Sequence, residues 1–167
     1  KEAIRRLHEM GLKTFMITGD HDRVARAVGR ETGIQEIAAE VLPQDKIAVV
    51  KRYQAQGLRV AMVGDGINDG PILAAADVSC AMGQGSAIAQ SASDLLLVHD
   101  GLEQLPRAIE TARAALRVMR QNLAWALVYN LAAVPLAALG YVSPWLAALG
   151  MSLSSLGVVL NARRLAA

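Results

Sequence analysis

The 167-residue sequence is short of several things, and each shortage excludes something. It has a single cysteine, Cys80, which rules out an intrachain disulfide and any multi-cysteine metal site. It has no block of like charges. Lysine and arginine number 17 against 15 acids, a formal charge of +2, so no nucleic-acid partner is expected. It has no internal repeat and no low-complexity linker. It has neither an initiator methionine nor a signal peptide, and Lys1 falls directly on a helical pattern, so the chain reads as part of a longer polypeptide. Charge itself also runs out. Between Arg120 and Arg163 there is no Asp, Glu, Lys or Arg.

What is present divides at that boundary. Hydrophobic residues make up 53% and charged residues 19%, with a mean hydropathy of +0.31, high for a wholly soluble protein. Up to Arg120 the pattern is that of an ordinary α/β domain. Ala3, Ile4, Leu7 and Met10 recur at helical spacing before Gly11. Leu12 to Thr18 reads as a buried strand, followed by a helix with Val24, Ala27 and Val28 on its apolar face, ending at Gly33. A third helix starts at Pro43, suited to a first-turn position, and stops at Gly57. Strands are expected over Arg59 to Val63, Val78 to Met82 and Leu95 to Val98, with a glycine-rich loop from Gly64 to Pro71. Alternation of this kind implies a doubly wound, mostly parallel sheet with ligands at the carboxyl ends of its strands.

From Gly101 the pattern is helical. Ile109, Ala112, Leu116 and Met119 form one face, with Arg107, Arg113, Arg117 and Arg120 scattered around it. Two uncharged stretches follow, about 123–139 and 145–160, joined by Gly140-Tyr141-Val142-Ser143-Pro144. Their length suits two membrane spans, the alternative being a buried hairpin of a soluble protein. Basic residues at both outer ends and none in the turn place both chain ends in the cytoplasm. Trp125, Tyr141 and Trp145 suit interfacial positions. The expected organisation is an α/β domain over 1–105, a linking helix over 106–121 and two spans within 122–167.

The most specific segment is Gly64-Asp65-Gly66-Ile67-Asn68-Asp69-Gly70-Pro71. Its glycines let backbone N–H groups approach an anion, and its two carboxylates suit a hard, oxygen-seeking Mg²⁺. Lys46 lies in the first turn of a helix, where the helix dipole disfavours a cation unless an anion is close by. A solvated surface lysine is the plain alternative. Thr18-Gly19-Asp20 is a second cradle of hydroxyl and backbone at a strand end, though alone it would be only a turn and helix cap.

In this order the three segments resemble the haloacid-dehalogenase-like, Rossmannoid phosphorylation domain of P-type ATPases, of which the chain would hold the second half. The resemblance implies that Asp65 and Asp69 bind a catalytic Mg²⁺, that Asn68 and Asp69 organise the phosphate site, and that Gly64 and Gly66 line it. It also implies that Lys46 neutralises the phosphoryl group, while Thr18, with Gly19 and Asp20, hydrogen-bonds to it. Gly70 replaces a usual Ala, and Ala87 stands where an Asp often follows Gly83-Gln84-Gly85-Ser86. The family's nucleophile, in an Asp-Lys-Thr-Gly-Thr motif, is not in this sequence, so the chain alone is expected to be inactive on ATP. The remaining parts, an actuator domain, a nucleotide-binding domain and earlier membrane helices, would belong to the same polypeptide.

Polar groups within the uncharged stretches are costly at bilayer depth. Tyr129 and Asn130 precede Pro135, and Met151, Ser152, Ser154 and Ser155 lie in the second stretch. Such residues also serve as glue between helices, while a thioether is a soft ligand suited to Cu(I). Tyr129-Asn130 with Pro135, and Met151-x-x-Ser154-Ser155, resemble the signature pair of copper-transporting heavy-metal ATPases. The resemblance implies that Tyr129, Asn130, Met151 and Ser155 contribute to a transmembrane Cu(I) site completed by a Cys-Pro-Cys pair elsewhere. It further implies a multi-pass protein of a bacterial inner membrane in contact with lipid and a copper chaperone as partner, while the Gly85-Ser86-Ala87 variation is similar to bacterial copper ATPases serving cytochrome oxidase assembly. A pump for another cation, and a phosphatase of the same superfamily with a membrane tail, are the alternatives. Cys80 is read as a small core residue, and His8, His21 and His99 are assigned to no metal.

Overall fold

The computed structural model describes residues 1–64, 69–83, 91, 93–98 and 101–165. The chain divides into two compact units, Lys1–Pro106 and Arg107–Ala167.

The first unit is α/β. Helix α1 (Glu2–Glu9) buries Ala3, Ile4 and Leu7, the face its spacing predicts. Strand β1 (Phe15–Ile17) pairs in parallel with β2 (Glu36–Ala38), Met16 opposite Ile37. β1 is shorter than expected because β2, which sequence periodicity misses, spans only three residues. Helix α2 (Asp22–Thr32) joins them, and here the expected face is wrong. Val24 and Val28 are 50% and 41% exposed and Ala27 is exposed, while Ala25 and Gly29 are buried. The helix lies close enough for a Cβ on Gly29 to come within 2.8 Å of the Ile34 carbonyl oxygen. Small residues, not the valines, set the contact.

Helix α3 (Pro43–Ala55) links the two sheets of this unit. Tyr53 packs on Phe15 of β1 with ring centroids 5.0 Å apart and donates its hydroxyl to Glu36 of β2. The next residue, Gln54, donates to the Ala75 carbonyl and the Asp77 carboxylate. Strands β3 (Ala61–Gly64), β4 (Val78–Met82) and β5 (Leu95–Leu97) form the second sheet in that order, and every pairing is parallel. Ile72 and Leu73 of the short helix α4 (Gly70–Ala75), with Cys80, Ala81 and Leu97, are at most 5% exposed and form the core beneath it. Burying each such aliphatic side chain stabilises the fold by about 1.5–3 kcal/mol.

Two buttresses at the ends of these strands escaped the sequence reading. Asp77 accepts from the Val60 N–H, Gln54 and Arg59. These donors, the backbone N–H foremost, hold its carboxyl at about 2, below the ordinary 3.8. Asp94 accepts from the backbone N–H and the hydroxyl of Ser79, both at 2.8 Å, and its carboxyl is likewise lowered.

In the second unit, the expected linking helix and first uncharged stretch are one helix, α5 (Gln104–Ala138), continuous through Pro135. After Gly140 the chain turns into α6 (Pro144–Arg163), N-capped by Ser143, whose hydroxyl accepts the Leu146 N–H. Among the described residues α6 alone is long and apolar enough by composition to cross a membrane. The expected face through Ile109, Ala112, Leu116 and Met119 is largely open, Met119 being 57% exposed. Three of the four arginines are not scattered: Arg113, Arg117 and Arg120 follow at four and three residues, which puts them on one helix face, while Arg107 falls off it.

Candidate functional site

Both cradles read from the sequence follow the carboxyl ends of parallel strands, Thr18 after β1 and Asp69 just beyond β3. Three backbone hydrogen bonds hold the first: Thr18 N–H to Ala38, Val41 N–H to Thr18 and Glu40 N–H to Asp20. Within it the Thr18 hydroxyl donates to the Asp20 carboxylate at 2.9 Å and accepts the Asp20 N–H at 3.1 Å. The hydroxyl is thereby presented on a fixed turn beside Gly19.

The second cradle centres on an ion pair. Lys46, one turn into α3, places its Nζ 3.0 Å from Asp69 Oδ1, with side-chain exposures of 17% and 15%. The anion that a cation at this helix start calls for is therefore, in this structure, Asp69. Gly64 lies close beneath it, and a Cβ there would be 3.1 Å from both Cβ and Oδ2 of Asp69, a tight contact. Asp69 Oδ2 has no hydrogen-bond partner among the described residues, which leaves one carboxylate oxygen for a hard cation. Asp65, Gly66 and Asn68 lie outside the described residues, as does Ala87. Among the described residues no three His, Cys, Asp or Glu side chains cluster to hold a metal. Nor, among them, does any hydrogen bond join the Thr18–Asp20 pair to the Lys46–Asp69 pair. Cys80 is 2% exposed and burial pushes its thiol up, as befits a core residue.

In the hairpin the two helices run antiparallel. Trp125 Nε1 donates to Ser154 Oγ at 3.0 Å, and Asn161 Nδ2 donates to Asn122 Oδ1 at 2.9 Å. The Tyr129 hydroxyl lies so near Gly150 that a Cβ there would be 2.8 Å from it. Asn122, Tyr129, Gly150, Ser154 and Asn161 thus line the seam, all half-buried. Of the four expected cation ligands, only Tyr129 is on it. Asn130, Met151 and Ser155 are exposed, and the Asn130 amide donates to the Ala126 carbonyl of its own helix at 2.9 Å.

Those three share a side nonetheless. Each stands one residue beyond a seam residue, and an α-helix turns about 100° per residue. In an antiparallel pair that step rotates both helices toward the same flank. Asn130, Met151 and Ser155 therefore line one open flank of the hairpin, which carries a thioether and neutral oxygen donors. The seam contacts themselves were invisible in sequence, because Trp125–Ser154 and Asn122–Asn161 depend on how the helices align.

The chain is similar to several known proteins. A family model described as haloacid dehalogenase-like hydrolase matches residues 1–77. Copper-exporting P-type ATPases of Staphylococcus aureus, strains JH9 and Newman, are 46% identical over 165 residues. That match takes in 99% of this chain and 21% of theirs, so the chain spans about a fifth of the length of these relatives. A zinc-transporting PIB-type ATPase in an E2.Pi state superposes with a TM-score of 0.90 at 39% identity, over 98% of this chain and 27% of that one. The catalytic domain of the CPx-ATPase CopB-B gives 0.60 at 35% identity, over 63% of this chain and 42% of that one. The α/β unit has the haloacid-dehalogenase-like fold, and the resemblance to heavy-metal P-type ATPases read in the sequence is borne out.

Proposed function

We propose that this chain is part of a P-type ATPase that exports Cu(I) across a bacterial inner membrane through an aspartyl-phosphate cycle. The observation that carries the catalytic half is the Lys46–Asp69 pair seated over Gly64 at the carboxyl end of β3. A phosphoryl group spreads negative charge over its oxygens during transfer, and fixed donors aimed at it lower the barrier. Lys46 supplies one such charge, and the Thr18 hydroxyl, which donates to Asp20 in this structure, would turn its one O–H to the phosphoryl group. Asp65 and Asp69 would hold Mg²⁺, which neutralises further charge on the group transferred. The nucleophile, the bound ATP and the actuator belong to parts of the polypeptide beyond this segment.

The ion path takes its character from what the hairpin lacks. From Thr111 to Leu165 the chain has no acid. A divalent ion would meet no carboxylate on the two uncharged stretches of these helices, whereas a soft monovalent ion needs only polarisable or neutral donors. Met151, Asn130 and Ser155 on one flank, with Tyr129 at its edge, fit Cu(I). Helices α5 and α6 would both span, with Arg113, Arg117, Arg120, Arg163 and Arg164 at the cytoplasmic face. The remaining ligands and a copper chaperone follow from the copper reading. Zinc is the competing cargo, favoured by the 39% identity to a zinc-transporting pump.

The test is ATP hydrolysis by the complete polypeptide in detergent, titrated with Cu(I), Zn²⁺ and Co²⁺, beside Met151→Ala. Stimulation by Cu(I) alone, weakened in the variant, is expected. Stimulation by a divalent ion, unchanged by the variant, would overturn copper and leave a pump for another metal.

A further inference from the structure

The face of α5 turned away from α6 has its own order. Arg113, Arg117, Arg120, Ala124, Leu127 and Leu131 follow one another at spacings of four, three, four, three and four residues, a single stripe along the helix. Relative to the seam residue Asn122 the stripe lies on the opposite side of the helix. Its upper part is cationic: the three arginines are exposed, and Arg117 and Arg120 have no ion pair among the described residues. With Leu116, Gln121 and Ala124 the three frame an open depression of about 480 Å³. Its lower part is apolar, Leu127 and Leu131 being 59% and 66% exposed.

The geometry points to a binding site for an anionic glycerophospholipid, with the headgroup phosphate among Arg113, Arg117 and Arg120 and an acyl chain along Leu127 and Leu131. The inference rests on the reading of these helices as membrane spans. Guanidinium groups match phosphate oxygens in a fork, and arginines at the cytoplasmic edge of a span attract anionic headgroups. A free phosphate would satisfy the arginines and ignore the leucines. A lipid uses both halves of the stripe, which is why a lipid is the assigned occupant.

The site is tested by native mass spectrometry of the complete polypeptide, titrated with phosphatidylglycerol, phosphatidylcholine and inorganic phosphate. Phosphatidylglycerol adducts should persist and phosphatidylcholine adducts should not. Replacing all three arginines by glutamine should weaken the adduct on the order of 100-fold, and Arg117→Gln alone about 5-fold. The single variant serves if the triple one fails to fold, and Arg23→Gln on the exposed face of α2 should change nothing. Equal adducts in wild type and variants would overturn the site, showing that another part of the polypeptide covers the stripe. Equal retention of phosphatidylcholine would overturn it as well, and so would displacement by millimolar phosphate. Cu(I)-stimulated hydrolysis on the same preparation separates the two readings. Its loss with lipid adducts intact counts against the copper pump alone, and its persistence without adducts counts against the lipid site alone.

Discussion

In the α/β unit Ile72, Leu73 and Ala81 are at most 2% exposed, whereas no described residue from Arg107 to Leu165 is buried, and Leu131 and Met151 stand 66% and 68% exposed. The polar contacts differ in the same sense. The first unit is fastened by charges: Lys46 to Asp69, Arg59 to Asp77. The second is fastened by neutral groups: an indole on a serine, and the Asn161 amide on Asn122 and Gln121. With the hairpin taken as membrane spans, as proposed above, the solvent explains the difference. Where water is the solvent, apolar side chains must be removed from it and charges are cheap to keep. Where hydrocarbon is the solvent, apolar side chains can face outward, charges are expelled, and small or neutral polar residues draw helices together.

The comparison is sharpened most by making the same substitution on both sides. Leu73→Ala should destabilise the α/β unit by about 3 kcal/mol through the cavity it leaves, read by chemical denaturation. Leu131→Ala, on an exposed helix face, should change hairpin stability by under about 1 kcal/mol. Introducing a charge should invert the ranking. Leu131→Asp should disfavour membrane insertion by about 3 kcal/mol, measured with a glycosylation-site insertion reporter, while Val24→Asp on exposed α2 should stay within about 0.5 kcal/mol. Equal effects at the two sites would break the distinction between solvents.

Smaller effects follow from the fastenings. Lys46→Met leaves the mostly buried Asp69 carboxylate without its cation and should cost about 2 kcal/mol of stability in the same denaturation assay. Ser154→Ala removes the acceptor of the Trp125 indole and should weaken the hairpin by about 0.6 kcal/mol, followed by its unfolding in mixed detergent. The smallest signature is acidic. Because the Asp77 carboxyl sits at about 2 when folded and near 3.8 when free, its stabilisation is complete above about pH 4 and is lost as pH falls toward 2. Asp77→Asn should flatten that part of the acid titration followed by circular dichroism.

Much of this was legible in the residues, for reasons that can be located. Helix α1 and strand β4 follow period and punctuation, since Ala3, Ile4 and Leu7 share a face and Val78–Met82 is apolar and compact. Lys46 and Asp69 were legible because their motif combines residue types that chance seldom places together. Strand β2 was not, because three residues carry no period. The face of α2 was misread because close packing there uses Ala25 and Gly29, which hydrophobicity ranks below the valines. The flank shared by Asn130, Met151 and Ser155 needed the antiparallel register, in which Tyr129 lies against Gly150 and Trp125 donates to Ser154.

The most direct test of the account is phosphoenzyme formation by the complete polypeptide, measured by two routes with variants from each unit. From ATP, Cu(I) should be required, and Met151→Ala should need more of it. From inorganic phosphate without metal, Met151→Ala should behave as wild type, whereas Lys46→Met should fail by both routes. That split would place phosphoryl chemistry in the first unit and ion selection in the second. If Met151→Ala failed with inorganic phosphate, or if neither variant altered either route, the division of labour drawn here would be contradicted.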